Sequence, residues 1–219
     1  MKKVTLALLL TSMLGAIAPV SAQEYMFTYS KLFTQMKANS KEGHDDIKIG
    51  FFFIDAKTKQ LCDIEKAWME KEEHYEELSI SPAKELLVPL DSNLRQANPL
   101  VFVQTPKDKR CDFSMVVMTK VPFDGKVTYE EVEKLMPQMQ TILEDLGGMF
   151  SSWFTPDVEG VTLEFANQLN SYIDLSGGQQ IEIRYGKAQV ALKDIGKGGF
   201  MTLPQATIRV LPYLPNAKK

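Results

Sequence analysis

Apolar and polar positions alternate through most of this chain, and the period changes only once for long. Ile47, Ile49, Phe51 and Phe53 recur at every second residue, the period of a half-buried strand. The turn-rich DAKTKQ follows, and Leu61 to Trp68 predicts a return strand, so the segment 47–68 reads as a hairpin with Cys62 on its second arm. Short strands are predicted at Glu77–Ile80, Glu85–Leu90, Leu100–Gln104 and Phe113–Val121, with Pro82, Pro89, Pro99 and Pro106 at their ends. Residues 25–38 carry both periods, since Tyr25, Phe27 and Tyr29 alternate while Met26, Tyr29, Phe33 and Met36 follow helical spacing. A strand running into a helix accommodates both.

The period shifts at Thr128. Thr128 and Glu131 form a capping box, in which each side chain satisfies the other residue's backbone N–H. Val132, Leu135, Met136, Met139, Ile142, Leu143 and Leu146 then make one apolar stripe, ended by Gly147 and Gly148. Pro137 lies inside this helix and removes one backbone hydrogen bond, which predicts a kink. Strands return at Val161–Phe165, Gln180–Arg184, Lys187–Leu192 and Thr207–Leu211, and Tyr185-Gly186 predicts a hairpin turn between the middle two. The expected fold is mainly β, with one central amphipathic α-helix and β-sandwich-like lobes. The expected units are a β-rich domain over 25–124, a helical connector over 125–157 and a second β-rich unit over 158–215.

The first 22 residues stand apart. Lys2 and Lys3 precede an apolar run from Val4 to Ala18, and Val20-Ser21-Ala22 fits a small-x-small cleavage site. This predicts a cleavable secretory signal peptide over 1–22 and a periplasmic location. Removing those 22 residues from 219 leaves 197, and the loss of two lysines takes the net charge from −3 to −5. An acidic body argues against nucleic acid as a partner, and no later apolar run reaches the length of a transmembrane segment.

Export changes the meaning of Cys62 and Cys111. Two thiols in an oxidising compartment predict a structural disulfide, and the absence of a C-x-x-C spacing argues against a redox pair. His44 in EGHDD and His74 in EKEEHYEEL sit among carboxylates, which makes them weak metal candidates. One His per acidic run is weak evidence, because solvated charge runs are common, and structural or surface roles are the expectation for both. Met115/Met118 and Met136/Met139 have M-x-x-M spacing, but the first pair points to opposite faces of a strand and the second lies on the helix stripe. Met149, Phe150, Trp153 and Phe154 follow the glycine pair. Exposed, they would form a contact surface; buried, they would seal the helix against the second β unit.

No G-x-S-x-G, H-E-x-x-H, P-loop or dinucleotide fingerprint occurs in the chain, and no cofactor is implied. The segments GFFFIDAKTKQLC, EKAWM, CDFSMVVMTK, LGGMFSSWFTPDVEG and TLPQATIRVLP resemble an uncharacterised family of exported gammaproteobacterial proteins, a domain of unknown function. That resemblance implies a periplasmic setting and one architecture, with no catalytic residue to carry over. The 47–68 hairpin is also similar to transthyretin-like accessory sandwiches, a likeness of fold that assigns no activity. The expected function is therefore a non-enzymatic envelope protein that binds a protein partner or a small ligand. A cell-envelope hydrolase using carboxylates and a periplasmic metal-handling protein are the alternatives.

Overall fold

A computed structural model describes residues 23–147 and 155–215. The leader 1–22 and the contact candidates Met149, Phe150, Trp153 and Phe154 lie outside the described residues. The two-period segment resolves as expected into a strand, β1 (Gln23–Thr28), running directly into α1 (Tyr29–Met36). Tyr29, Leu32, Phe33 and Met36 are the buried face of that helix. β2 (Ile47–Asp55) follows, with Ile47, Ile49, Phe51 and Phe53 buried in the main core.

The predicted hairpin over 47–68 does not form as a ladder. Its remnant is one bridge between Ile54 and Leu61, with the Cys62 N–H donating to the Phe53 carbonyl at 2.8 Å. β2 instead pairs with β6 (Cys111–Thr119) in antiparallel register, from Ile47 opposite Thr119 to Asp55 opposite Cys111. A nine-residue ladder with two apolar faces outweighs the short local return. β3 (Lys66–Lys71), β4 (His74–Glu77) and β5 (Leu100–Thr105) join β1 in a separate antiparallel sheet, ordered β1-β5-β3-β4. The strand expected at Glu85–Leu90 is reduced to Leu86, which bridges Phe51 and Ile80. A short helix, α2 (Ser92–Ala97), is capped by the Asp91 carboxylate accepting from the Asn93 and Leu94 amides.

Cys62 and Cys111 are disulfide-bonded, with Cα atoms 6.3 Å apart. Cys111 opens β6 and Cys62 lies beside the end of β2, so the bond staples the one-bridge remnant to the β2/β6 ladder.

β7 (Lys126–Thr128) leads into α3 (Tyr129–Gly147) through the capping box. The Thr128 N–H donates to Glu131 Oε2 at 2.7 Å, and the Glu131 N–H donates to Thr128 Oγ1 at 3.2 Å. The helix runs through Pro137 and buries Val132, Leu135, Met139 and Ile142. β8 (Gly160–Glu164), β9 (Ser171–Leu175), β10 (Gln180–Ile183), β11 (Lys187–Ala191), α4 (Leu192–Ile195), β12 (Phe200–Thr202) and β13 (Arg209–Tyr213) complete the described chain. They form a sheet β10-β9-β12-β7 and a three-stranded sheet β11-β8-β13.

The turn at Tyr185-Gly186 is present, with φ of 49° and 76°, the left-handed pair of a two-residue hairpin turn. The hairpin itself stops after the Arg184–Lys187 bridge, because β10 leaves to pair with β9 and β11 with β8. Phe51, Phe53 and Val103 share one buried cluster with Val132 and Met139 of α3 and with Leu163, Ile173 and Met201. The architecture is mainly β, and α3 is the one long amphipathic helix among the described residues.

Candidate functional site

Among the described residues, two departures from the rule of apolar inside and charged outside follow from strand register; a third buried charge, Glu85, is met by Lys48 at 2.7 Å. The first is the solvent face of the sheet β1-β5-β3-β4. Ala67 and Met69 of β3 point into the core, so Lys66, Trp68 and Glu70 share the opposite face. Trp68 lies opposite Phe102 of β5, and Phe102 lies opposite Met26 of β1. On the other side of β3, Tyr75 lies opposite Glu70. An apolar row therefore crosses the whole sheet. Met26 is 62% exposed and Tyr75 is 53% exposed.

The rings in this row are ordered against one another. Trp68 stacks on Phe102 with centroids 5.2 Å apart and planes 11° apart, and on Tyr75 at 6.4 Å and 27°. The Lys66 ammonium sits 5.2 Å from the Trp68 ring and 5.5 Å from the Tyr75 ring, so the face already holds one cation against its π-surfaces. Trp68 Nε1 donates to Glu70 Oε2 at 3.0 Å, which ties the indole to a neighbour on its own strand. Glu24, Glu70 and Glu77 share this face with Lys66 and make its border acidic. β4 is the end strand of the sheet, and all four of its residues are exposed.

The second place is a cleft of about 420 Å³ formed by 59–61, 82–84, 164–168, 185–187 and 208–209. At its centre, Glu164 of β8 lies between Lys187 of β11 and Arg209 of β13, each its direct register partner. Arg209 Nε donates to Glu164 Oε2 at 2.7 Å, Arg209 Nη2 donates to the same oxygen, and Lys187 Nζ lies 2.8 Å from Oε1. Glu164 and Arg209 side chains are 6% exposed, while Lys187 is 51% exposed and forms the mouth. The Arg209 guanidinium rests 4.6 Å from the centre of the buried Phe52 ring, and its Nη1 has no hydrogen-bond partner.

The sequence-predicted candidates are placed differently. His44 is buried, with Nδ1 2.8 Å from the Ala38 carbonyl, and it closes the loop before β2. His74 is exposed at the start of β4, beside the aromatic face. Among the described residues, no three His, Cys, Asp or Glu side chains converge as a metal site would require. Met118 is buried and Met115 is 42% exposed, on opposite faces of β6 as the strand period requires. No described helix is long and apolar enough to cross a membrane.

Trp68, Tyr75 and Phe102 went unnoticed in the sequence. The signal was there: in KAWME a tryptophan keeps the phase of a lysine and a glutamate. Glu164 and Arg209 gave a fainter sign, one charged residue each in VTLEF and TIRVL.

Two titrations bear on the architecture. Burial pushes the Tyr25 hydroxyl above its ordinary range, and that hydroxyl donates to the Cys111 carbonyl. Hydrogen bonds from Gln138 and Lys134 of α3 hold the Asp46 carboxyl below the usual carboxylate range.

No curated protein and no solved structure matches the chain. Residues 21–165, about two-thirds of the chain and including the whole aromatic face, match the family model described as protein of unknown function (DUF2987), and the chain belongs to that family.

Proposed function

We propose that this is a periplasmic, non-enzymatic binding protein that engages a protein partner through the solvent face of β1-β5-β3-β4. The observation that carries the reading is the ordered row Met26, Phe102, Trp68 and Tyr75. Exposed large apolar side chains are informative when contiguous, and stacked aromatics are the residue types that anchor interfaces. The acidic border and the ammonium already held over two rings select a partner segment bearing Lys or Arg. The free edge of β4 lets such a segment bind in extended form, adding a strand beside the rings. Export is supported by the leader, and an oxidising compartment by the disulfide.

The test is a photo-crosslinking residue placed at Tyr75 in living cells, with the adducts identified by mass spectrometry. The expected result is a defined adduct through an extended basic segment of the partner, lost in Trp68→Ala although that variant still folds. Adducts unchanged by Trp68→Ala, or none at all, would overturn the reading.

A further inference from the structure

We infer that a cleft beneath the β4 edge is a side-chain pocket, and that the segment bound there is an extended strand with an aliphatic residue between two basic ones. This rests on the reading of the aromatic face as a docking surface, and it names what the bound strand presents on each of its two sides.

The backbone of β4 sets the geometry. The Leu78 N–H donates to the Ala67 carbonyl at 2.9 Å. Bonding alternates along an antiparallel pair, so Glu76 and His74 bond across to β3, while the N–H and C=O groups of Tyr75 and Glu77 point the other way. Among the described residues, no strand lies beyond β4 in its sheet. The edge therefore offers the donors and acceptors of Tyr75 and Glu77 to an incoming strand.

The second observation is what lies under that edge. Side chains alternate between faces, so Tyr75 and Glu77 stand with Trp68 on the aromatic side, whereas Glu76 stands with its register partner, the buried Met69, on the other. A cleft of about 340 Å³ is formed by Met69, His74 and Glu76 together with Leu94 and Ala97 of α2 and the following Pro99. Lys71 Nζ donates to the Ala97 carbonyl at 2.7 Å, which ties β3 to the end of α2. A strand added beside β4 sends alternate side chains to the two faces, and the one opposite Glu76 reaches this cleft. Met69, Leu94, Ala97 and Pro99 are apolar, so the side chain that fits among them is aliphatic.

Charge selects the residues on either side of it. Glu70, Glu72, Glu73, Glu76 and Glu77 are all exposed, and Lys71, the one lysine among them, is spent on Ala97. Such an edge repels acidic strands, a second copy of itself included. A lysine or arginine opposite Tyr75 or Glu77 meets instead both a carboxylate and the faces of the rings. Because the period is two, these basic positions flank the aliphatic one.

The experiment is a titration of the ¹⁵N-labelled mature chain with the end-blocked peptides KTKLKTK, KTKSKTK and ETELETE, each of which reads the same in either strand direction. The expected result is saturable movement of the Tyr75, Glu77 and Ala97 amides by KTKLKTK, at least about 10-fold weaker binding of KTKSKTK, and no saturable response to ETELETE. Ala97→Phe, a change at an exposed position that fills the cleft, should remove the preference for leucine and leave KTKSKTK binding unchanged. Trp68→Ala should weaken both basic peptides and keep their ratio. Equal binding of KTKLKTK and KTKSKTK, or a leucine preference that survives Ala97→Phe, would overturn the pocket and leave the reading of the aromatic face standing. No saturable response to either basic peptide by about 10 mM, or binding of ETELETE as tight as that of KTKLKTK, would overturn both.

Discussion

Half-buried Trp68 and Phe102 and exposed Tyr75 stack on the solvent face of one sheet, while Glu164 and Arg209 are shut away from water on another. Both arrangements run against the usual partition, but they relate differently to the rest of the fold. The aromatic face lies over strands whose other faces already fill the core, through Ala67, Met69, Val101 and Val103. Removing an outward ring leaves that core intact. The ions have no such backing. Each is tolerated inside only because the other is present, and the Phe52 ring beneath Arg209 belongs to the same arrangement. An exposed apolar group is thus available for loss or for binding, whereas a buried charge is tied to its partner.

The largest effect that would sharpen this contrast is at Arg209. Arg209→Ala leaves the Glu164 carboxylate buried beside Lys187 alone and should destabilise the fold by about 3–5 kcal/mol, read as a lower urea midpoint. Replacing both ions, Arg209→Met with Glu164→Leu, should recover most of that loss, since no unpaired charge then remains inside. A double variant as unstable as Arg209→Ala would break the account of mutual dependence.

The disulfide is next in size. Cys62→Ser with Cys111→Ser should lower stability by about 2–4 kcal/mol, because the Ile54–Leu61 bridge alone then holds the segment to β2. Thermal unfolding with and without reductant measures it, and reductant should shift only the unaltered protein.

Trp68→Ala should cost about 1 kcal/mol, the worth of a stacked cross-strand pair, despite deleting the largest ring on the face. A loss nearer to that of Arg209→Ala would show that the face is structural and remove its contrast with the cleft.

These two regions also mark how far the sequence could be read. The helix α3 was legible to its first residue, because a capping box and a 3.6-residue stripe are local signals. The inward face of β2 and the passage from β1 into α1 were legible for the same reason. The partners of the strands were not. DAKTKQ suggested a local hairpin, and Tyr185-Gly186 makes a real turn, yet in both cases the second arm pairs elsewhere. Local turn chemistry decides where a chain reverses, while long ladders decide what it pairs with. Both sites depend on that second decision. Trp68 meets Phe102, and Glu164 meets Arg209, only once distant strands are in register.

Asp46 stands between the two extremes, a half-exposed carboxylate at the junction of α3 with the loop before β2. Its Oδ2 accepts from Gln138 Nε2 at 2.8 Å and lies 2.8 Å from Lys134 Nζ, while its own N–H donates to Gln138 Oε1 at 3.0 Å. These contacts depress its folded-state pKa, with the Gln138 hydrogen bond as the leading cause. The unfolded chain therefore takes up the proton first as pH falls. The stabilisation is fully present above the unfolded value of about 3.9 and is lost as pH falls through the lower folded value. Asp46→Asn removes the charge and keeps an acceptor for Gln138, so the two proteins should differ at neutral pH by less than about 1 kcal/mol, given solvent screening. That difference should vanish at the acid end and shrink in high salt. A difference that survived both would mean that Asp46 acts by packing, as Arg209 partly does through Phe52, and would move it to the buried side of the contrast.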